Sequence, residues 1–384
     1  MLAGHAVRGA AEMISVQNSK YGPFRGAWRG PETSPHRTVF HVALVCVLIL
    51  VGASFGLSQE APSAPAPRPS VAPVETLLNQ GKPGEALAFL QELAAKDPKA
   101  WGLEAKFGKA HFQSRQFSLA ILHLQTALQQ NPEDLESTQL LALSFYGAGD
   151  YPQALPLLER LGPQLPKGNT DAPYLLGICY LMTQQPDKAR RTFAQMFSVA
   201  PDSAMAYLMV GKILVRQQLE DRAVPQIEKA LELDPRLAMA HFLLGEIDLY
   251  KRNPQAAVAE FQKELAINPT VWLVYWRLGD AYVHLENYDE AERVLKEAIW
   301  LNESSSGAYI LLGEIALKRG DSGLAAGFLE RALKLDPQNY YVHYFLAKAY
   351  RNLGRTAEAN RHFEICKSLN DKQNDERNML EAVP

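Results

Sequence analysis

Along residues 74–373 the apolar side chains return in steps of three and four, and polar or glycine-bearing breaks such as GAGD at 147–150 interrupt them. That spacing puts the apolar positions on one stripe of a helix, so it predicts a succession of amphipathic helices joined by short turns. The segment 231–250, LELDPRLAMAHFLLGEIDLY, contains an Asp-Pro stop followed by a helical pattern with Gly245 near its middle. Glycine inside a helix costs about 1 kcal/mol relative to alanine. Its presence calls for close packing against another helix or for a ligand that approaches the backbone.

The stop recurs at a fixed distance. Pro235 and Pro269 are 34 residues apart and Pro269 and Pro337 are 68 apart; Pro98, Pro132 and Pro166 fall in steps of 34, with one step of 35 to Pro201. On that period an alanine aligns in nine successive units, at Ala86, Ala120, Ala154, Ala189, Ala223, Ala257, Ala291, Ala325 and Ala359. Twelve positions earlier stand small residues, Gly108, Ala142, Gly177, Gly211, Gly245, Gly279, Gly313 and Ala347. Four positions after the alanine comes an apolar series that includes Leu90, Leu124, Phe193, Phe261, Leu295 and Phe363. Gly245 therefore belongs to a series, and a helix crossing at Gly245 and Ala257 accounts for it without a ligand. A larger side chain at such a crossing costs about 1–3 kcal/mol.

Tyr275, Leu278, Gly279, Tyr282, Ala291 and Leu295 within 275–299 complete a pattern that resembles the tetratricopeptide repeat family, whose 34-residue unit is a helix, a turn and a second helix. Proline closes seven of the nine units, with Glu303 and Asp371 in the other two, and His111, Asp248 and Ala316 depart from the family at its tyrosine position. The resemblance covers about 74–373 and implies an all-α, right-handed superhelical solenoid of about nine helix-turn-helix repeats. These lie near 67–100, 101–134, 135–168, 170–203, 204–237, 238–271, 272–305, 306–339 and 340–373, followed by a tail at 374–384 too short for a catalytic domain.

In that family the first helix of each unit lines a concave groove that holds a partner's peptide. With Gly245 eighth in its unit, positions two, five, six, nine, twelve and thirteen supply the groove residues. Phe112, Tyr146, Tyr174, Phe242, Tyr250, Trp276, Tyr341, Tyr344 and Phe345 provide aromatic surface, and Lys212, Arg216, Arg277, Lys318, Lys348 and Arg351 provide cations, with Glu246, Asp280 and Glu314 between them. This mixture suits an extended segment or helix with apolar anchors and acidic groups. The family's carboxylate clamp needs lysine and asparagine at positions five and nine of one unit and asparagine at position six of the next, and no consecutive units have them. A cytosolic chaperone adaptor is therefore not expected.

The chain before the repeats differs from the rest. Residues 39–57, VFHVALVCVLILVGASFGL, carry no formal charge and come after a segment, 1–38, with Arg8, Lys20, Arg25, Arg29 and Arg37 against Glu12 and Glu32. Length and flanks mark a membrane-targeting segment, either a cleaved signal peptide or a retained transmembrane anchor, that puts residues 58–384 on the non-cytoplasmic side. Residues 58–73 form an Ala/Pro-rich, semi-rigid spacer. The expected location is the cell envelope, periplasmic or extracellular, membrane-anchored through 39–57 or secreted.

A net charge of −3, with scattered lysines and arginines, gives no footprint for nucleic acid. Cys46, Cys179 and Cys366 are too few and too far apart for a disulfide framework, and no cysteine or histidine cluster has metal-ligand spacing. His241 and His343 share the repeat position of Tyr207, Tyr275 and Tyr309, which predicts packing residues. No catalytic residue, cofactor or metal is expected. The expected partner is a protein or peptide, with self-association through the ends of the array as the alternative.

Overall fold

The computed structural model describes residues 72–381 apart from Lys99, Trp101 and 163–170. The segment 1–38, the expected membrane-targeting run 39–57 and all but the last two residues of the spacer 58–73 lie outside the described residues. Among the described residues no helix is long and apolar enough to cross a membrane. The described chain forms two compact units, one ending at Pro235 and one beginning at Arg236.

The first unit consists of five helical pairs. They are α1 (Ala72–Asn79) with α2 (Pro83–Lys96), α3 (Leu103–Gln113) with α4 (Phe117–Gln130), and α5 (Leu135–Gly147) with α6 (Tyr151–Leu161). After these come α7 (Asp171–Met182) with α8 (Pro186–Met196) and α9 (Ala204–Arg216) with α10 (Glu220–Leu233). The second unit holds four pairs: α11 (Ala240–Tyr250) with α12 (Pro254–Ile267), α13 (Trp272–His284) with α14 (Tyr288–Leu301), α15 (Ser306–Lys318) with α16 (Ser322–Leu335), and α17 (Tyr340–Asn352) with α18 (Thr356–Glu381). The described residues are thus all-α and built from repeated hairpins, as the sequence period predicts for an α solenoid. Helix α18 runs on unbroken past Gln373, where the repeat frame ends and a separate tail is expected.

One turn geometry joins every pair. A residue in the left-handed conformation comes after each first helix, at Gly81, Arg115, Gly149, Gln184, Gln218, Arg252, Glu286, Gly320 and Gly354. The next amide reaches back over the helix end: Asn253 N donates to the Asp248 carbonyl at 2.8 Å and Asp321 N to that of Ala316 at 2.9 Å. These bonds satisfy carbonyls that the helix end leaves without partners. Five of the nine turn residues are not glycine, and the left-handed region costs such residues roughly 1–2 kcal/mol. Packing between the paired helices holds these turns against their local preference.

The crossing within each pair explains Gly245. A methyl group placed there would lie 2.5 Å from the Phe261 ring; at Gly279 it would lie 2.6 Å from Leu295, and at Gly313 2.5 Å from Leu329. Ala257 is fully buried, and the side chain nearest the glycine is that of Phe261. The small residue on the first helix admits a large one on the second. Phe193, Phe261, Leu295 and Leu329 are each fully buried at this place, and burial of such a side chain is worth about 1.5–3 kcal/mol.

Candidate partner-binding face

In the first unit the inward positions of the repeat frame carry a chain of charge. Lys109 Nζ on α3 donates to Glu75 Oε1 on α1 and to Glu136 Oε1 on α5, each at 2.7 Å, and Lys106 donates to the other Glu75 oxygen. The Lys109 side chain is 5 % exposed. Burial alone would lower its pKa, but the hydrogen bonds and charges of Glu136 and Glu75 outweigh burial and hold it above the ordinary lysine value. Glu75 is the converse case: burial raises its pKa, and Lys106 and Lys109 bring it below the usual glutamate range. None of these four residues is among the groove candidates read from the sequence. The pattern that finds them is opposite charge at position nine of one unit and positions six and two of its neighbours.

Lys212 on α9 occupies the same repeat position as Lys109 but has different surroundings. It is half-buried, Arg216 lies one turn further on and is exposed, and neither forms an ion pair among the described residues. Burial, and then the charge of Arg216, pull the Lys212 ammonium below the ordinary lysine value. Tyr146 on α5 is buried edge-on against Tyr151, with ring centroids 5.6 Å apart. Burial is the main cause of its strongly raised phenol pKa, and the Arg216 charge pulls the other way. Tyr174 on α7 packs against Phe193, with centroids 6.1 Å apart.

In the second unit Arg277 on α13 holds the central place that Lys109 holds in the first. It pairs with Glu246 on α11 and, at 2.8 Å, with Asp280, and its guanidinium lies 5.3 Å from the Trp276 ring centroid. Asp280 is buried, and His284 Nε2 stands 3.7 Å from its other oxygen. Farther along, Lys348 lies over Tyr344 at 5.3 Å, Tyr344 stacks on Tyr340 with centroids 6.1 Å apart, and Arg351 lies over Phe363 at 5.7 Å.

Burial divides the sequence candidates. Tyr146, Phe242, Trp276 and Phe345 each keep less than a tenth of their surface exposed, so they serve the packing between helices. Phe242, for example, packs against Phe261 with centroids 5.8 Å apart. Tyr250 is 61 % exposed. Arg216 and Arg351 are exposed as well, while Tyr174, Lys212, Glu246, Arg277, Tyr341, Tyr344 and Lys348 are half-buried.

The remaining ionisable groups are tied into the repeats. Repeat positions four and twenty-three pair Glu104 with His123 at 2.7 Å, His241 with Glu260 at 2.6 Å, and His343 Nδ1 with His362 Nδ1 at 2.8 Å. His241 and His343 therefore lie within helix pairs, and each has a specific hydrogen-bond partner there. Burial pushes the Cys179 and Cys366 thiols up to about 12 and about 11, which keeps them protonated and poor nucleophiles. Among the described residues no group of three or more histidine, cysteine or acidic side chains is arranged to hold a metal.

Two family models described as tetratricopeptide repeat match the chain, one over 77–144, 111–168 and 145–213 and the other over 211–271, 242–309, 276–340 and 310–364. Together they span 77–364. No curated protein matches the sequence. Among solved structures, MamA from Desulfovibrio magneticus RS-1 is 20% identical, with 45% of this chain and 97% of that one covered and a TM-score of 0.41. Pseudomonas aeruginosa PilF is 24% identical over 43% of this chain and 75% of its own, with a TM-score of 0.40. YrrB, described as a TPR protein with an unusual peptide-binding site, is 22% identical over 48% of this chain and 93% of its own, with a TM-score of 0.39.

Proposed function

Because the chain belongs to the tetratricopeptide repeat family, we propose that it is a noncatalytic scaffold of a cell envelope that binds a segment of a partner protein along the first helices of its repeats. The observation that carries this reading is the composition of those helices. Exposed Tyr250 and Arg351 and half-buried Tyr344 and Lys348 combine apolar anchors with cations at recurring positions, the chemistry that takes an extended segment bearing acidic groups. The uncharged run 39–57 and the basic segment before it support the envelope location and an anchor or signal at the front of the repeats.

Photo-crosslinking amino acids placed in living cells test this reading. Substituted at Tyr250, Lys318 and Arg351 on first helices, they are expected to capture the same partner. At the exposed second-helix positions Leu122, Lys296 and Trp300 they are expected to capture none. Capture mainly from the second-helix set would overturn the assignment of the binding face. Sequencing the mature N-terminus separates the two fates of 39–57: a chain starting beyond it is secreted, and a chain retaining it is anchored.

A further inference from the structure

Lysine at position nine of the repeat shows what this fold requires of a buried ammonium. Lys109 is held between two carboxylates, Glu75 and Glu136, one from the pair before it and one from the pair after it. Lys212 is half-buried at the same position, and at the register of Glu75 the pair before it carries Ile178, which is fully buried. Instead of a carboxylate, Lys212 has Arg216 one helical turn away. Two cations four residues apart on a helix repel by a few tenths of a kcal/mol, and burying an unpaired charge adds to that cost. No carboxylate offsets it, since neither cation forms an ion pair among the described residues.

The surroundings also fit an anion. An ammonium and a guanidinium able to bind both oxygens of a carboxylate stand one helical turn apart on α9. Lys212 is recessed and Arg216 is open, so a small anion at the end of a side chain can reach both. The family's carboxylate clamp divides its residues between units; here both cations stand on α9.

We propose that Lys212 and Arg216 form a subsite for an aspartate or glutamate side chain of an extended partner segment. This rests on the first-helix face being the binding face, and it adds which charge the partner carries and where that charge docks.

The probe is a set of fluorescein-labelled peptides, selected from a random peptide library displayed against the full chain, each paired with a copy in which its acidic residues are amides. The expected result is an excess of Asp or Glu among the selected peptides and at least about tenfold weaker binding to the K212M/R216M double variant. The amide copies are expected to bind wild type and double variant equally, because the lost interaction is the same one in both arms of the cycle. Circular dichroism of the variant is expected to match wild type, so the loss is not one of folding. Peptides that bind first helices but lose no affinity in K212M/R216M would overturn this subsite and leave the face intact. Peptides that crosslink only to second helices would overturn both. Selected peptides that depend on phosphate rather than carboxylate would also overturn the assignment.

Discussion

Lys109 and Lys212 stand at one position of the repeat in the same unit of the molecule, and their surroundings differ by two carboxylates. Around Lys109 the neighbouring pairs supply Glu75 and Glu136 at 2.7 Å, and the ammonium is more basic than usual. Around Lys212 the pair before it supplies none, with Ile178 at the register of Glu75, and the ammonium is less basic than usual, first because it is buried and then because Arg216 lies beside it. In the second unit Arg277 is likewise held between two carboxylates, Glu246 on the preceding first helix and Asp280 on its own helix. A repeat can therefore neutralise its inward charges from within, as it does at Lys109 and does not at Lys212.

The largest effect that tests this comparison is expected where compensation is deepest. Arg277→Met leaves the buried Asp280 without its cation, and breaking such a pair costs about 3 kcal/mol. A urea melt of the purified chain measures it; a loss below about 1 kcal/mol would show that solvent already screens the group.

Gly245→Ala examines the crossing instead of the charges. The new methyl would lie 2.5 Å from the fully buried Phe261 ring. Overpacking of about 1–3 kcal/mol, set against the roughly 1 kcal/mol that alanine gains over glycine in a helix, leaves a net loss of about 0–2 kcal/mol in the same melt.

A smaller effect separates the histidine pairs by pH. His362 has its pKa lowered by burial first, then by His343 and Arg361, with Glu358 opposing; Tyr350 packs against it as well. A base depressed in the folded state contributes stability that is full above its unfolded value, about 6.5, and is lost as pH falls through the folded value. His241 faces Glu260 at the same two repeat positions, a histidine–glutamate pair in place of two histidines. His362→Glu recreates it, and thermal melts are expected to show the variant gaining up to about 1 kcal/mol on wild type between pH 7.5 and pH 5. An unchanged difference across that range would remove the histidine pair as a source of acid sensitivity.

The fold is legible in the sequence because each unit repeats the same demands. Proline stops, Ala257 and its equivalents, and the small residues aligned with Gly245 fix the hairpin period without reference to any contact. The side chain nearest the crossing glycine is less legible, because a helical period says that Ala257 and Phe261 share a face but not which of them reaches closer. Arg115, Gln184, Gln218, Arg252 and Glu286 give no local sign of a left-handed turn, since ordinary side chains disfavour it and only the paired helices impose it. Tyr146, Phe242, Trp276 and Phe345 show the corresponding limit at the candidate face. Register identifies the side of the helix on which a residue stands, but the depth to which adjoining helices cover it depends on packing. Lys109 and Lys212 are alike in register, and what separates them is the charge on neighbouring units.

Paired denaturation of Lys109→Met and Lys212→Met tests that difference most directly. Lys109→Met leaves Glu75 and Glu136 without their shared cation, and because both carboxylates are partly exposed the expected loss is about 1–2 kcal/mol in a urea melt. Lys212→Met removes a cation that stabilises nothing within the fold, and its stability is expected to stay within about 0.5 kcal/mol of wild type or to rise. Equal losses in the two variants would mean that Lys212 is a structural residue like Lys109, and would contradict the assignment of Lys212 to a partner.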